Sequence, residues 1–213
     1  MKKVFLSPSN QTDNAYAYGS TNEAIQCGKI ADACKKALER SGVKVEINHY
    51  GTLAAKCAAS NKFGADLHVP IHTNAFNKNV AGTRVFCSAM SGEGYKAAKA
   101  IYNVLAPITP GKSENVSANP ELYEIRGVKA PSAYIECEFH DNLQSAKWII
   151  EHVKEIGESI AKGICNYLGV RFVEAESNTF YQVITGSFKN KANAEQRVKE
   201  LKNKGFDSFI QIK

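Results

Sequence analysis

Three things are missing from this chain: a long apolar run, a paired-cysteine motif and a dense basic patch. No apolar stretch approaches the ~20 residues that cross a bilayer as a helix, so membrane insertion is not expected. The N-terminus, "MKKVFLSPSN", sets only three apolar residues behind two lysines, far short of a signal-peptide core. The expectation is synthesis in the cytoplasm, with any work outside it depending on release by lysis. Six cysteines, at 27, 34, 57, 87, 137 and 165, include no C-x-x-C pair, which argues against a cysteine metal site. The chain is also too long to need disulfide staples, so buried, reduced thiols are expected. Lys and Arg are nowhere interleaved densely with aromatics, and nucleic acid is not expected as a partner. The net charge of +6 still suits a polyanion.

With 44% hydrophobic and 23% charged residues, the composition is that of a globular protein. Its 213 residues suffice for one sizeable core and a small appendage. "KVFLS", "VKVEINHY", "ADLHVPIH", "GTRVFCSA" and "APSAYIECEF" read as strands. "NEAIQCGKIADACKKALERSG" places Ile25, Ile30, Ala33, Cys34, Ala37 and Leu38 at helical spacing, with Gly42 as terminator. "LAAKCAASNKF", "GYKAAKAIYNVLAPI" and the long "SAKWIIEHVKEIGESIAKGICNYLG" read as further helices. Strands alternating with helices predict an α/β fold: a twisted, mostly parallel sheet flanked by helices on both faces. The character changes after Gly169. We read residues 1–169 as the main domain, 170–178 as a linker and 179–213 as a small β-α-β unit.

"ADLHVPIHTNAFN" contains two histidines four residues apart. On a helix they would share a face and suit one metal ion, but Pro70 between them opposes a helix. On a strand they share a face roughly 13 Å apart, too far to converge. His72, at the strand end, is therefore the functional candidate, because ligands of such sheets bind beyond the carboxyl ends of strands. His68 reads as a hydrogen-bonded core histidine. In "YIECEFHDN", Glu136, Glu138 and His140 alternate, so a regular strand would set them on one face. Two carboxylates and an imidazole in an apolar run need partners or a metal. Glu23, in "STNEAIQ", falls in the first turn of a helix that Ser20, Thr21 or Asn22 would cap, where the helix dipole favours an acid.

In order, "FLSPSN", "TNEAIQ", "PIHTNA" and "IECEFHDN" resemble the motifs of the zinc-dependent N-acetylmuramoyl-L-alanine amidases of bacterial cell-wall lysis. The resemblance spans roughly residues 2 to 169. It implies a Zn2+ cofactor held by Glu23 and His72, with Glu136 as the catalytic carboxylate. The implied reaction is hydrolysis of the amide between N-acetylmuramic acid and L-alanine, and the implied partner is peptidoglycan. One departure stands out: Asn10 holds the position of the family's first histidine ligand. His140 is the substitute this reading favours as third ligand, with Glu138 and His68 as accessory candidates. The tail "FYQVITGSFKNKANAEQRVKELKNKGFDSFI" resembles half of a sporulation-related (SPOR) repeat that binds glycan strands. The implied setting is the cell wall, reached after phage or mother-cell lysis. The rival readings are a wall-binding protein that has lost its metal and a zinc peptidase of the wall.

Overall fold

The computed structural model describes residues 1–175 and 183–212. It divides into two units, 1–175 and 176–213. The first unit begins with strand β1 (Lys3–Pro8), helix α1 (Glu23–Arg40), strand β2 (Lys44–Ile47) and helix α2 (Leu53–Phe63). Strands β3 (Leu67–Asn74) and β4 (Arg84–Cys87), helix α3 (Gly92–Leu105) and the short β5 (Val116–Ala118) follow. The one-turn α4 (Tyr123–Arg126), β6 (Tyr134–Phe139), α5 (Leu143–Glu151) and α6 (Val153–Leu168) complete it. The strands form one sheet in the order β2-β1-β3-β6-β4-β5. Neighbours run parallel except β4 and β6, which are antiparallel.

Strand alternation decides what each face carries. Val4, Leu6, Leu67, Val69, Ile71, Ile135 and Cys137 turn to the main core, where α1, α3 and α6 pack. The intervening positions Phe5, Ser7, His68, His72 and Glu136 turn to the other face, where α2 and α4 pack together. Helix α1 buries Cys27, Ile30, Ala31, Cys34, Ala37 and Leu38, while Ile25 is left exposed, so its apolar stripe is narrower than the sequence pattern implied. All six cysteines are buried and unpaired, as expected. Helix α2 closes on Gly64 and α6 on Gly169, both at φ +67, a left-handed conformation that glycine adopts without strain.

Two expectations are modified. The long final helix is broken at His152 (φ −117, ψ 19) into α5 and α6. The His152 ring stacks on Trp148 at 4.9 Å, and its Nδ1 lies 2.8 Å from the Trp148 carbonyl, which also accepts the His152 N–H at 2.9 Å. Residues 170–175, expected as linker, belong with the first unit: Val170 and Phe172 pack on its core, and Val173 N–H donates to Ser41 Oγ at 3.0 Å.

Pro70 sits inside a central strand, and β3 absorbs it by interrupting one ladder. Pairing with the β6 side consists of an isolated bridge at His68↔Ser132 and a ladder that resumes at Ile71↔Ile135. The missing Pro70 donor falls in that gap.

The second unit contains helix α7 (Lys191–Asn203), whose N-cap Asn190 side chain accepts the Ala192 N–H at 2.9 Å. Among its described residues, 183–188 and 206–212 form no strand. The first strand of the expected β-α-β unit lies partly at 179–182, outside the described residues.

Candidate metal and catalytic centre

The carboxyl ends of β1, β3 and β6, the start of α1 and the single turn α4 converge on His72. Glu23 is delivered by the N-terminus of α1, where Asn22 caps the helix by accepting the Ile25 N–H at 3.0 Å. The Glu23 side chain is buried, and its Oε1 lies 2.9 Å from His72 Nδ1. Asn14 Nδ2 donates to Glu23 Oε2 at 2.6 Å, and the Thr73 N–H approaches Oε1 at 3.4 Å. Burial alone would push the Glu23 carboxyl up. The hydrogen bond and charge of His72, with bonds from Asn14 and Ser9, outweigh it and hold the group below its usual value.

His72 stacks on Tyr134, ring centroids 4.5 Å apart, and its Nε2 points away from Glu23. That nitrogen is buried without a hydrogen-bond partner; the nearest acid, Glu124 Oε2, is 3.9 Å off, an electrostatic contact rather than a hydrogen bond. Burial opposes the charged imidazolium. Contacts with Glu124 and Glu23 and the charge of Glu136 prevail and raise His72 to about 9.

Glu136 is the residue of β6 in register with His72 on one side and Arg84 on the other. Its Oε2 is buried and unpartnered. Burial, reinforced by the Glu23 charge and opposed by His72 and Arg84, lifts Glu136 to about 7.

Glu124 was not picked out in the sequence, although an acid among Leu122, Tyr123 and Ile125 is a signal of the same kind as "YIECEF". It is 2% exposed. Its Oε1 accepts from the Ser7 hydroxyl and lies 3.4 Å from His68 Nε2, off the line of a good hydrogen bond. Its carbonyl accepts from Ser132 Oγ at 2.8 Å. Burial would raise it, yet His68, His72 and Ser7 together hold it at about 2. Close by, the buried Lys56 donates to the Pro8 carbonyl at 2.5 Å, fixing the end of β1.

His68 is fully buried and stacks on Phe5 at 5.5 Å. As strand geometry requires, it does not meet Glu23; it shares Glu124 with His72 instead.

His140 and Glu138 do not join the centre, because β6 bulges. His72 pairs with Glu136 but Asn74 pairs with Phe139, so β6 carries an extra residue and the expected alternation is lost. His140 emerges on the core side, stacked on Tyr16 at 5.3 Å, with Nδ1 3.0 Å from Thr73 Oγ1 and 3.1 Å from the Thr73 carbonyl. Glu138 Oε1 instead accepts the Gly82 N–H at 2.6 Å and the Phe139 N–H at 3.2 Å. Asn10 is exposed and turned away, its Nδ2 donating to the Gly51 carbonyl at 3.0 Å. The side chain that does reach the pair is its neighbour Gln11, with Nε2 3.5 Å from both Glu23 Oε1 and His72 Nδ1.

One carboxylate and one imidazole in direct contact fit two donors of a zinc ion in type and spacing. Among the described residues no group of three or more His, Cys, Asp or Glu is placed to hold a metal. Of the residues singled out in the sequence as metal ligands, Glu23 and His72 are the two in direct contact, with the Gln11 amide beside them.

Residues 6–166 match the N-acetylmuramoyl-L-alanine amidase family model, and residues 164–212 match that of the SPOR domain. A sporulation-specific N-acetylmuramoyl-L-alanine amidase of Bacillus subtilis is 25% identical over 222 residues, covering 100% of this chain and 86% of its own. The solved catalytic domain of an N-acetylmuramoyl-L-alanine amidase from Bacillus (Paenibacillus) polymyxa superposes with a TM-score of 0.72 at 18% identity, covering 80% of this chain and 100% of that one. An N-acetylmuramoyl-L-alanine amidase of Nostoc punctiforme gives 0.71 at 20% identity, covering 79% and 97%. With the family model covering most of the sheet and every residue of the centre just described, the chain belongs to the N-acetylmuramoyl-L-alanine amidase family.

Proposed function

We propose that this chain is a peptidoglycan hydrolase that cuts the amide joining the lactyl carbonyl of N-acetylmuramic acid to L-alanine of the stem peptide. The observation that carries the reading is the buried Glu23–His72 contact of 2.9 Å with Glu136 in register beside His72. Family membership and the B. subtilis relative support the choice of bond. The SPOR match and the net charge of +6 support an anionic wall polymer as partner. No helix among the described residues is long and apolar enough to cross a membrane.

In this reading Glu23 and His72 hold Zn2+. When bound, the ion supplies Lewis-acid polarisation of the scissile carbonyl and a water of lowered pKa. The chain's own work is done around it. Glu136 takes a proton from the attacking water and returns it to the leaving amine of L-alanine. In the metal-free chain burial lifts this carboxyl to about 7, toward the range in which one group both takes and returns a proton. Asn14 fixes the second oxygen of Glu23, and Tyr134 fixes the plane of the His72 ring.

Amino-terminal labelling of digested peptidoglycan tests the reading. The wild-type chain frees new N-terminal alanine, and Glu136→Gln frees none. New termini inside the stem peptide would indicate a peptidase, and no new termini from the zinc-loaded wild type would indicate a wall binder.

A further inference from the structure

A buried carboxylate needs partners, and Glu124 has two imidazoles. His68 Nε2 lies 3.4 Å from Oε1, and His72 Nε2 lies 3.9 Å from Oε2. Beyond His72 comes Glu23, so imidazole and carboxylate alternate along a buried line His68–Glu124–His72–Glu23. The first three of these side chains sit under the sheet face covered by α2 and α4, beside Ser7, whose hydroxyl donates to Glu124 Oε1.

We infer that Glu124 is a positioning residue: it holds the far nitrogen of the His72 ring so that Nδ1 is presented to the metal shared with Glu23. The inference rests on the zinc pair proposed above. An imidazole can present either nitrogen, and Tyr134 stacking fixes the ring's plane but not which edge faces Glu23. With Glu23 and the Nδ1 lone pair both engaged by a metal, the remaining imidazole proton belongs on Nε2, and the Glu124 carboxylate 3.9 Å away favours it there electrostatically. Metal-bound histidines are held this way by carboxylates, and losing the carboxylate weakens metal binding about 10- to 100-fold. The Glu124 side chain is itself clamped to do this: Ser7 fixes Oε1, and His68 closes the remaining side. His68, which the metal pair does not use, thus has a role as the brace on Glu124.

Calorimetric titration of the chelator-stripped full chain with zinc chloride tests this. Glu124→Gln keeps the shape and removes the charge; it weakens zinc binding about 10- to 100-fold. Ser7→Ala, which frees one Glu124 oxygen without touching His72, weakens it in the same direction and reads the effect should Glu124→Gln fold poorly. Ser132→Ala loosens only the Glu124 main chain and leaves zinc affinity at the wild-type value. Long-range 1H–15N spectra of the zinc-loaded chain show the His72 proton on Nε2 in wild type and lose that single signature in Glu124→Gln. Wild-type affinity in both Glu124→Gln and Ser7→Ala overturns the inference, as does an equal loss in Ser132→Ala, which would mark Glu124 as structural. If Glu23→Gln and His72→Ala also bind zinc like wild type, the metal pair falls as well; if those two lose zinc while Glu124→Gln does not, only the role of Glu124 falls.

Discussion

His72 Nδ1 lies 2.9 Å from Glu23 Oε1, and the next residue across the sheet from His72 is Glu136. That triangle joins the start of a helix to the ends of two strands, and it sets the first expectation. Glu136→Gln should leave the far-ultraviolet dichroism unchanged and lower peptidoglycan hydrolysis at least ~10²-fold, the lower end of general acid–base contributions. Clearing of a cell-wall suspension measures it; near-normal clearing would remove Glu136 from the chemistry.

The same carboxyl sets a pH profile. Glu136 must be ionised to accept a proton, and burial lifts it to about 7. In the metal-free chain Glu136 should therefore titrate through about 7 rather than through the ordinary carboxylate range, read from its carboxyl 13C shift against pH. A titration in the ordinary carboxylate range would contradict this.

His140→Ala separates structure from chemistry. The substitution removes the stack on Tyr16 and the bonds to Thr73, at a cost of about 1–3 kcal/mol in urea denaturation. Zinc uptake should be unchanged, since the bulge in β6 turns His140 away from Glu23 and His72. Asn10→Ala should shift stability by no more than ~0.5 kcal/mol and also leave zinc uptake alone.

Glu138 offers a pH test of stability. Burial raises its carboxyl above the usual value, although the Gly82 and Phe139 N–H groups act against the shift. The folded state then holds a proton that the unfolded state has already released, so stability falls as pH rises from the unfolded value through the raised folded one, and stays lower above it. Glu138→Gln keeps an acceptor for both N–H groups and cannot ionise. Its melting temperature should gain on wild type as pH rises above the ordinary carboxylate range; parallel curves for the two proteins would argue against a buried charge there.

Two glycines of α6 mark where helices touch. A Cβ on Gly157 would lie 2.6 Å from Ala33 Cβ and 2.8 Å from Cys34 N on α1. A Cβ on Gly163 would lie 2.5 Å from Ile101 Cα on α3. Gly157→Ala and Gly163→Ala should each destabilise by about 1–3 kcal/mol despite alanine's higher helix propensity. Thermal melts that rise instead would show that these helices have room to separate.

Periodicity carried the α/β architecture, because residues four or two apart must share a face whatever the tertiary details. It also separates His68 from His72, since strand spacing forbids their meeting; in the structure both flank Glu124, and of the two His72 is the one in contact with Glu23. Periodicity did not reveal the β6 bulge. One extra residue there costs nothing in composition but sends Glu138 and His140 to new partners. Glu124 carries only the mark of an acid among apolar neighbours: α4 is one turn long, too short to show any period, and the residue's meaning lies in contacts with Ser7, His68 and His72, 117, 56 and 52 positions away in the chain. Gln11 stands next to the position expected to hold a ligand, and only the turn of the loop toward Gly51 shows that Asn10 has left the site. The break at His152 leaves no mark in the sequence because α5 and α6 continue each other's apolar pattern.

The most direct test is an anomalous difference map at the zinc edge from crystals of the full chain grown with zinc. The account predicts one strong peak within bonding distance of both Glu23 Oε1 and His72 Nδ1, with Glu136 beside it and His140 apart from it. A map with no peak at that pair, or with the ion bound instead at His140 and Thr73, would contradict it.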